Sequence, residues 1–127
     1  MAVRLDHDAA ARVAALRLDL PATPEEEAAY MRALAAVADL PAPYGLVVEV
    51  RGEGRFTEAG RREQALWFKA NRARLEARCR AMAVVRPDQP DGGAKNAEGF
   101  GRMFAFPVAA APDEAAARAF LRGHLPA

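Results

Sequence analysis

Two apolar runs rich in β-branched residues, Tyr44-Gly-Leu-Val-Val-Glu-Val and Ala81-Met-Ala-Val-Val, stand on either side of a long stretch with helical periodicity. Nearly continuous apolar runs of this length are what strands covered on both faces show. A strand, a helix and a second strand in that order join parallel neighbours by a right-handed crossover. The chain is therefore predicted to build a mostly parallel sheet with helical cover.

The remaining segments extend this pattern. Val3-Arg-Leu-Asp alternates apolar and polar residues, and after His7-Asp8 a second alternation puts Leu16, Leu18 and Leu20 on one face with Arg17 and Asp19 on the other. The pair reads as a hairpin with one buried face. In Thr23-Pro24-Glu25-Glu26 the threonine can cap, proline suits the first helical position and Glu26 closes a capping box. Tyr30, Leu34 and Val37 recur with Met31, Ala35 and Ala38 as the apolar stripe of that helix, and Pro41 and Pro43 stop it.

After the charged loop Arg51-Gly-Glu-Gly-Arg a helix is expected over 57–78, with Leu66, Ala70, Ala73 and Ala77 in one stripe and Phe68, Leu75 and Cys79 beside it. Residues 87–93 are turn formers, and 96–105 predict a short helix weakened by Gly99 and Gly101. Phe106-Pro-Val-Ala-Ala reads as an edge strand. Asp113 can cap a last helix with Ala116, Ala119, Phe120 and Leu125 turned inward. The order β-β-α-β-α-β-α-β-α defines an α/β single domain over 1–127, with a four- to five-stranded sheet, an N-terminal antiparallel hairpin and flanking helices.

Composition excludes several classes. A 52% apolar fraction with 28% charged residues is that of a packed domain, and 127 residues bury a core without disulfides or metals. The net charge of +1 gives no global field for nucleic acid or an anionic membrane. Charges at Arg4, Asp6 and Asp8 interrupt any secretory h-region, and no run approaches the ~20 apolar residues of a membrane span. The single Cys79 fits a reducing compartment, so a cytoplasmic protein is expected.

The element order, the stretch Leu66-Trp-Phe-Lys-Ala-Asn-Arg72 in the long helix, and the finish Phe106-Pro-Val followed by Asp113-Glu-Ala-Ala-Ala-Arg-Ala-Phe-Leu121 resemble the STAS family. Within it the chain looks most like the SpoIIAA-like branch of small bacterial, anti-sigma factor antagonist-like proteins. The resemblance implies protein contact or small-ligand binding without catalysis. It also implies a phospho-acceptor where the loop after the central strand enters the long helix. Thr57 is the nearest match, although the family's Asp-Ser-x-Gly pattern is not reproduced and the chain contains no serine. A helix N-cap explains the same threonine.

Reactive constellations are not found. His7 and His124 lie near opposite ends of the chain and no nucleophile has a base beside it. Two histidines and one cysteine fail the zinc pattern, and Gly92-Gly-Ala-Lys-Asn96 lacks the glycine spacing and hydroxyl of a phosphate loop. Glu25, Glu26 and Glu27 read as first-turn acids facing the helix dipole, and Asp88 and Asp91 as turn residues. No catalytic residue, metal or cofactor is assigned.

Between Thr57 and Arg80, seven basic residues (Arg61, Arg62, Lys69, Arg72, Arg74, Arg78, Arg80) meet three acids, Glu58, Glu63 and Glu76. The expected recognition surface combines Arg51, Glu53 and Arg55 of the loop with Arg61, Arg62, Trp67 and Arg72 of the helix. It belongs to a non-enzymatic regulatory module with an unidentified protein partner, self-association included. The alternative is a small-molecule or lipid-binding domain with an apolar pocket near Trp67, Phe100 and Phe104, also touching Met103 and Phe106. An active site assembled from Arg51, Glu53, Thr57 and Asp88 is a third and weaker reading.

Overall fold

The computed structural model describes residues 3–126, so what the sequence says of Met1 and Ala2 lies outside the described part. Among these residues the elements follow in the expected order: β1 (Val3–Asp8), β2 (Val13–Asp19), α1 (Pro24–Ala38), β3 (Tyr44–Arg51), α2 (Glu58–Arg78), β4 (Cys79–Val85), α3 (Ala94–Met103), β5 (Val108–Ala111) and α4 (Glu114–Arg122). They form one five-stranded sheet in the order β1-β2-β3-β4-β5. β1 runs antiparallel to β2 and every other pair is parallel, with Val48 beside Val84 in the central pair.

Strands that neighbour in sequence order, joined by crossovers of one hand, carry their connecting helices to the same face. α1, α2 and α3 therefore share one side, where Leu16, Leu46, Val48, Met82 and Val84 of the sheet meet Tyr30, Leu34, Phe68, Leu75 and Ala97. α4 follows the last strand and covers the opposite side, laying Ala117 and Leu121 on Val13, Ala15, Val47, Ala81, Ala83 and Val85. Beyond α4 this second face is polar. Arg17 of β2 pairs with Asp6, Glu49 and Glu114, and Arg118 reaches Asp8 at 3.1 Å and Glu114 at 3.5 Å.

The capping box at α1 forms as predicted, with Glu26 N–H donating to Thr23 Oγ1 at 3.2 Å and Thr23 N–H to Glu26 Oε1 at 2.8 Å. The long helix differs from expectation. Its inward line is Gly60, Phe68 and Leu75, with Gln64, Trp67, Asn71 and Arg78 half-buried, while Leu66, Ala70, Ala73 and Ala77 face solvent. One face must win, and Phe68 with Leu75 removes more apolar area from water than one leucine and three alanines. In α4 Ala117 and Leu121 are the buried residues, Ala116, Phe120 and Leu125 pack half-buried beside them, and Ala119 is exposed. α3 starts and ends two residues earlier than expected, entering from Gly93 with φ at 92°.

Three buried groups ionise less readily in this fold. Burial pushes the Cys79 thiol from 9.0 up to about 12, and it raises the Tyr30 and Tyr44 hydroxyls as well. A group held neutral in the native state binds its proton more tightly there than in the unfolded chain. The stability this represents is complete below pH 9 and is lost as pH rises toward 12. Urea midpoints are expected to fall steadily over that window. Cys79, 1% exposed, should react with a thiol reagent only after unfolding.

Candidate functional site

The carboxyl ends of β2, β3 and β4 open into a crevice on the three-helix side, the usual place for a ligand in an open α/β sheet. Its inner part holds about 200 Å³ over a floor of Leu18, Tyr30, Val48, Val50 and Val84. Phe56 of the β3–α2 loop roofs it and is fixed by an edge contact with Tyr30, ring centres 5.2 Å apart. An outer part of about 370 Å³ continues between α2 and α3 along Ala65, Phe68, Gly99 and Met103. The two share Arg61, Gln64, Asn96 and Phe100, so they adjoin across these residues.

Four cations line the groove: Arg55, Arg61 and Arg86 in the inner part, with Arg61 also bordering the outer part beside Lys95. Among the described residues none of them makes an ion pair, and no carboxylate lines either part. Arg86 is set by hydrogen bonds to the Gly52 carbonyl at 3.2 Å and to Asn96 Oδ1 at 3.4 Å, and its buried Nε has no partner. Gly52 is a glycine for two reasons. Its φ of 85° belongs to the left-handed region, and a Cβ there would collide with the Leu20 carbonyl. Its N–H donates to Asp88 Oδ2 at 2.8 Å, which ties the β3–α2 loop to the loop after β4.

Below the roof the N-terminus of α2 is closed from within. Glu27, 7% exposed, accepts from Thr57 N–H at 2.6 Å and from Thr57 Oγ1 at 2.8 Å, while Thr57 Oγ1 itself accepts from Gly60 N–H at 3.0 Å. A side chain carboxylate thus occupies the positive end of the helix, where an external anion would otherwise be favoured. The Thr57 hydroxyl is used as donor and as acceptor. A phosphate on it would bring negative charge against Glu27.

The residues named from the sequence fall in separate places. Arg55 and Arg61 reach the crevice; Arg51 pairs with Glu49 at 3.1 Å on the other face of β3; Arg62 pairs with Glu58 along α2; Glu53 and Arg72 are exposed. Trp67 lies in a shallow groove between α1 and α2 with Ala28, Met31, Ala35 and Leu66. Arg51, Thr57 and Asp88 are each engaged elsewhere, with Glu49, Glu27 and the Gly52 N–H respectively. The polar side chains that line the crevice are Arg55, Arg61, Gln64, Arg86, Lys95 and Asn96, with Tyr30 in its floor.

Of the residues expected around an apolar pocket, Phe100 and Met103 line the outer groove. Phe68 packs edge-on against Phe100 and Phe104 at 5.7 and 5.6 Å, and the void in the core beside Phe68, Phe100 and Phe106 is about 10 Å³, room for one water at most. Sequence reasoning missed Glu27, Gly60, Arg86 and Lys95. For Glu27 a signal existed, because positions 27, 30, 34 and 37 share one helical face and the other three are apolar. Among the described residues no helix is long and apolar enough to cross a membrane.

No family model, no curated protein and no solved structure matches the chain. Fold and site together define an α/β domain with a cation-lined crevice at the carboxyl edge of its sheet and an uncovered apolar line on its central helix.

Proposed function

We propose that the chain is a non-enzymatic protein-interaction module, a regulatory domain of the kind its resemblance to anti-sigma factor antagonist-like proteins of the bacterial cytoplasm implies. Its docking face is the outer side of α2. The observation that carries this reading is the solvent-facing line Leu66, Ala70, Ala73 and Ala77, in which Leu66 is 62% exposed and borders the Trp67 groove. Small residues at spacings of three and four let another helix approach closely, and an aromatic beside them is a common anchor.

The charges flanking this line support a second copy of the chain as the partner, with Arg62 and Arg74 sharing or exchanging their in-chain carboxylates, Glu58 and Asp39. At 100° per residue Glu63 and Arg74 fall on one flank of it, and Arg62 and Glu76 on the other. When two α2 helices lie antiparallel about a two-fold axis near Lys69, Glu63 meets the partner's Arg74 and Arg62 meets the partner's Glu76. Both flanks then carry opposite charges, as a self-complementary interface requires. Glu63→Arg is expected to weaken self-association about tenfold, and adding Arg74→Glu to restore it, as read by sedimentation equilibrium. No loss in the single variant, or no rescue in the double, would remove this face from consideration.

A second reading, small-molecule binding, is favoured by the crevice. Its open volume lies beside Phe100 rather than beneath Trp67 and Phe104, and its size is that of sites which enclose small ligands. Thr57 is supported as the cap and latch of α2 by its bonds to Glu27 and Gly60.

A further inference from the structure

We infer that the crevice binds an organic anion with an apolar body, a carboxylate-headed molecule such as a medium-chain fatty acid. The inference rests on the small-molecule reading above and adds the chemical class. Three features of the site select this ligand together.

The first is uncompensated charge. Arg55, Arg61, Arg86 and Lys95 line the crevice without a carboxylate among them, so its wall carries one sign of charge beside apolar surface. Arg55, Arg61 and Lys95 are exposed and Arg86 half-buried, and an anion entering beside them would relieve the repulsion among these like charges. The second feature is an unsatisfied donor. Arg86 is held by Gly52 and Asn96 through its terminal nitrogens while its Nε, enclosed by protein, donates to nothing, so the guanidinium is fixed at the wall of the inner part with its charge uncompensated.

The third is the floor. Leu18, Val48, Val50 and Val84 with the Phe56 and Phe100 rings offer apolar contact but no base or nucleophile. A bare inorganic anion would leave that surface wet, and a neutral hydrocarbon would leave the cations without a counter-charge. The anion at α2's own N-terminus is already supplied by Glu27, so the head group belongs to the arginines and not to the helix end. The outer part between α2 and α3, where Gly99 presents no side chain and Met103 is 36% exposed, leaves room for the tail to run outward.

The test is calorimetric titration of the full chain with decanoate, decyl phosphate, decanol and inorganic phosphate, each below its aggregation concentration. Decanoate is expected to bind, decanol at least tenfold more weakly, and inorganic phosphate not at all. Arg61→Gln should weaken decanoate about tenfold, the worth of one charge-assisted contact, whereas Arg72→Gln, about three turns farther along α2 and outside the groove lining, should leave it unchanged. Amide chemical-shift changes should centre on Asn96, Gly99 and Phe100. Decanol binding as tightly as decanoate, with those same shifts, would overturn the anion class while leaving a ligand pocket. Absence of binding and of shifts for all four would overturn both. Decyl phosphate binding more than tenfold tighter than decanoate would replace the carboxylate with a phosphate head.

Discussion

Leu121→Ala is expected to cost about 2–5 kcal/mol, a large share of the roughly 5–15 kcal/mol that holds a domain of this size together. The second face of the sheet has one helix over it. Leu121 is fully buried there among Ala15, Ala81 and Ala83. It also stands over Gly45, where a Cβ would lie 3.1 Å from Leu121 Cδ2. Neighbours this short cannot swing in to fill the space a leucine leaves, so the cavity term adds to the lost transfer energy. The urea midpoint should drop with the m-value unchanged, and Leu121→Met should cost less than about 1.5 kcal/mol. A loss below about 1 kcal/mol for the alanine variant would mean that α4 does not seal this face.

Gly60→Ala is expected to destabilise the protein by about 1–3 kcal/mol, although alanine is the better helix former by roughly 1 kcal/mol. The added Cβ would sit 2.5 Å from Glu27 Oε1, and Glu27 cannot retreat without surrendering its two hydrogen bonds from Thr57. Glu27→Ala alone should cost about 1.5–3 kcal/mol, as expected for contacts made to a charged acceptor. In that background the obstruction is gone, and Gly60→Ala should turn stabilising. The two sites therefore form a double-mutant cycle with a coupling term large enough to measure by denaturant unfolding. Additive effects would contradict the latch.

The backbone plan was legible because strand and helix periods differ. The runs at 44–50 and 81–85 have nowhere to go but a covered sheet, and the crossover hand then fixes which side α1, α2 and α3 occupy. Capping at Thr23 and Asp113 was equally local, and both side chains accept the expected N–H. What the sequence hid were choices between competing faces. In α2 two stripes of similar count offered themselves, and only the larger volumes of Phe68 and Leu75 decide between them.

The crevice was half legible. Arg55 and Arg61 could be placed near the strand ends, yet Arg86 follows β4 and Lys95 opens α3, and their convergence depends on how the chain after β4 folds back over Gly52. The Glu27 latch spans thirty positions and pairs an acid that reads as a routine first-turn residue with a threonine that reads as a routine cap. Such long-range hydrogen bonds carry no periodic signature.

The molecular mass of the purified chain across a concentration series, by sedimentation equilibrium, is the most direct test of the docking face on α2. The wild-type protein should pass from its 13.7 kDa monomer toward twice that mass as concentration rises, and Leu66→Asp should keep it monomeric with its unfolding midpoint unchanged. A wild-type chain that stays monomeric at every concentration, or a Leu66→Asp variant that associates as well as the parent, would contradict self-association through this helix.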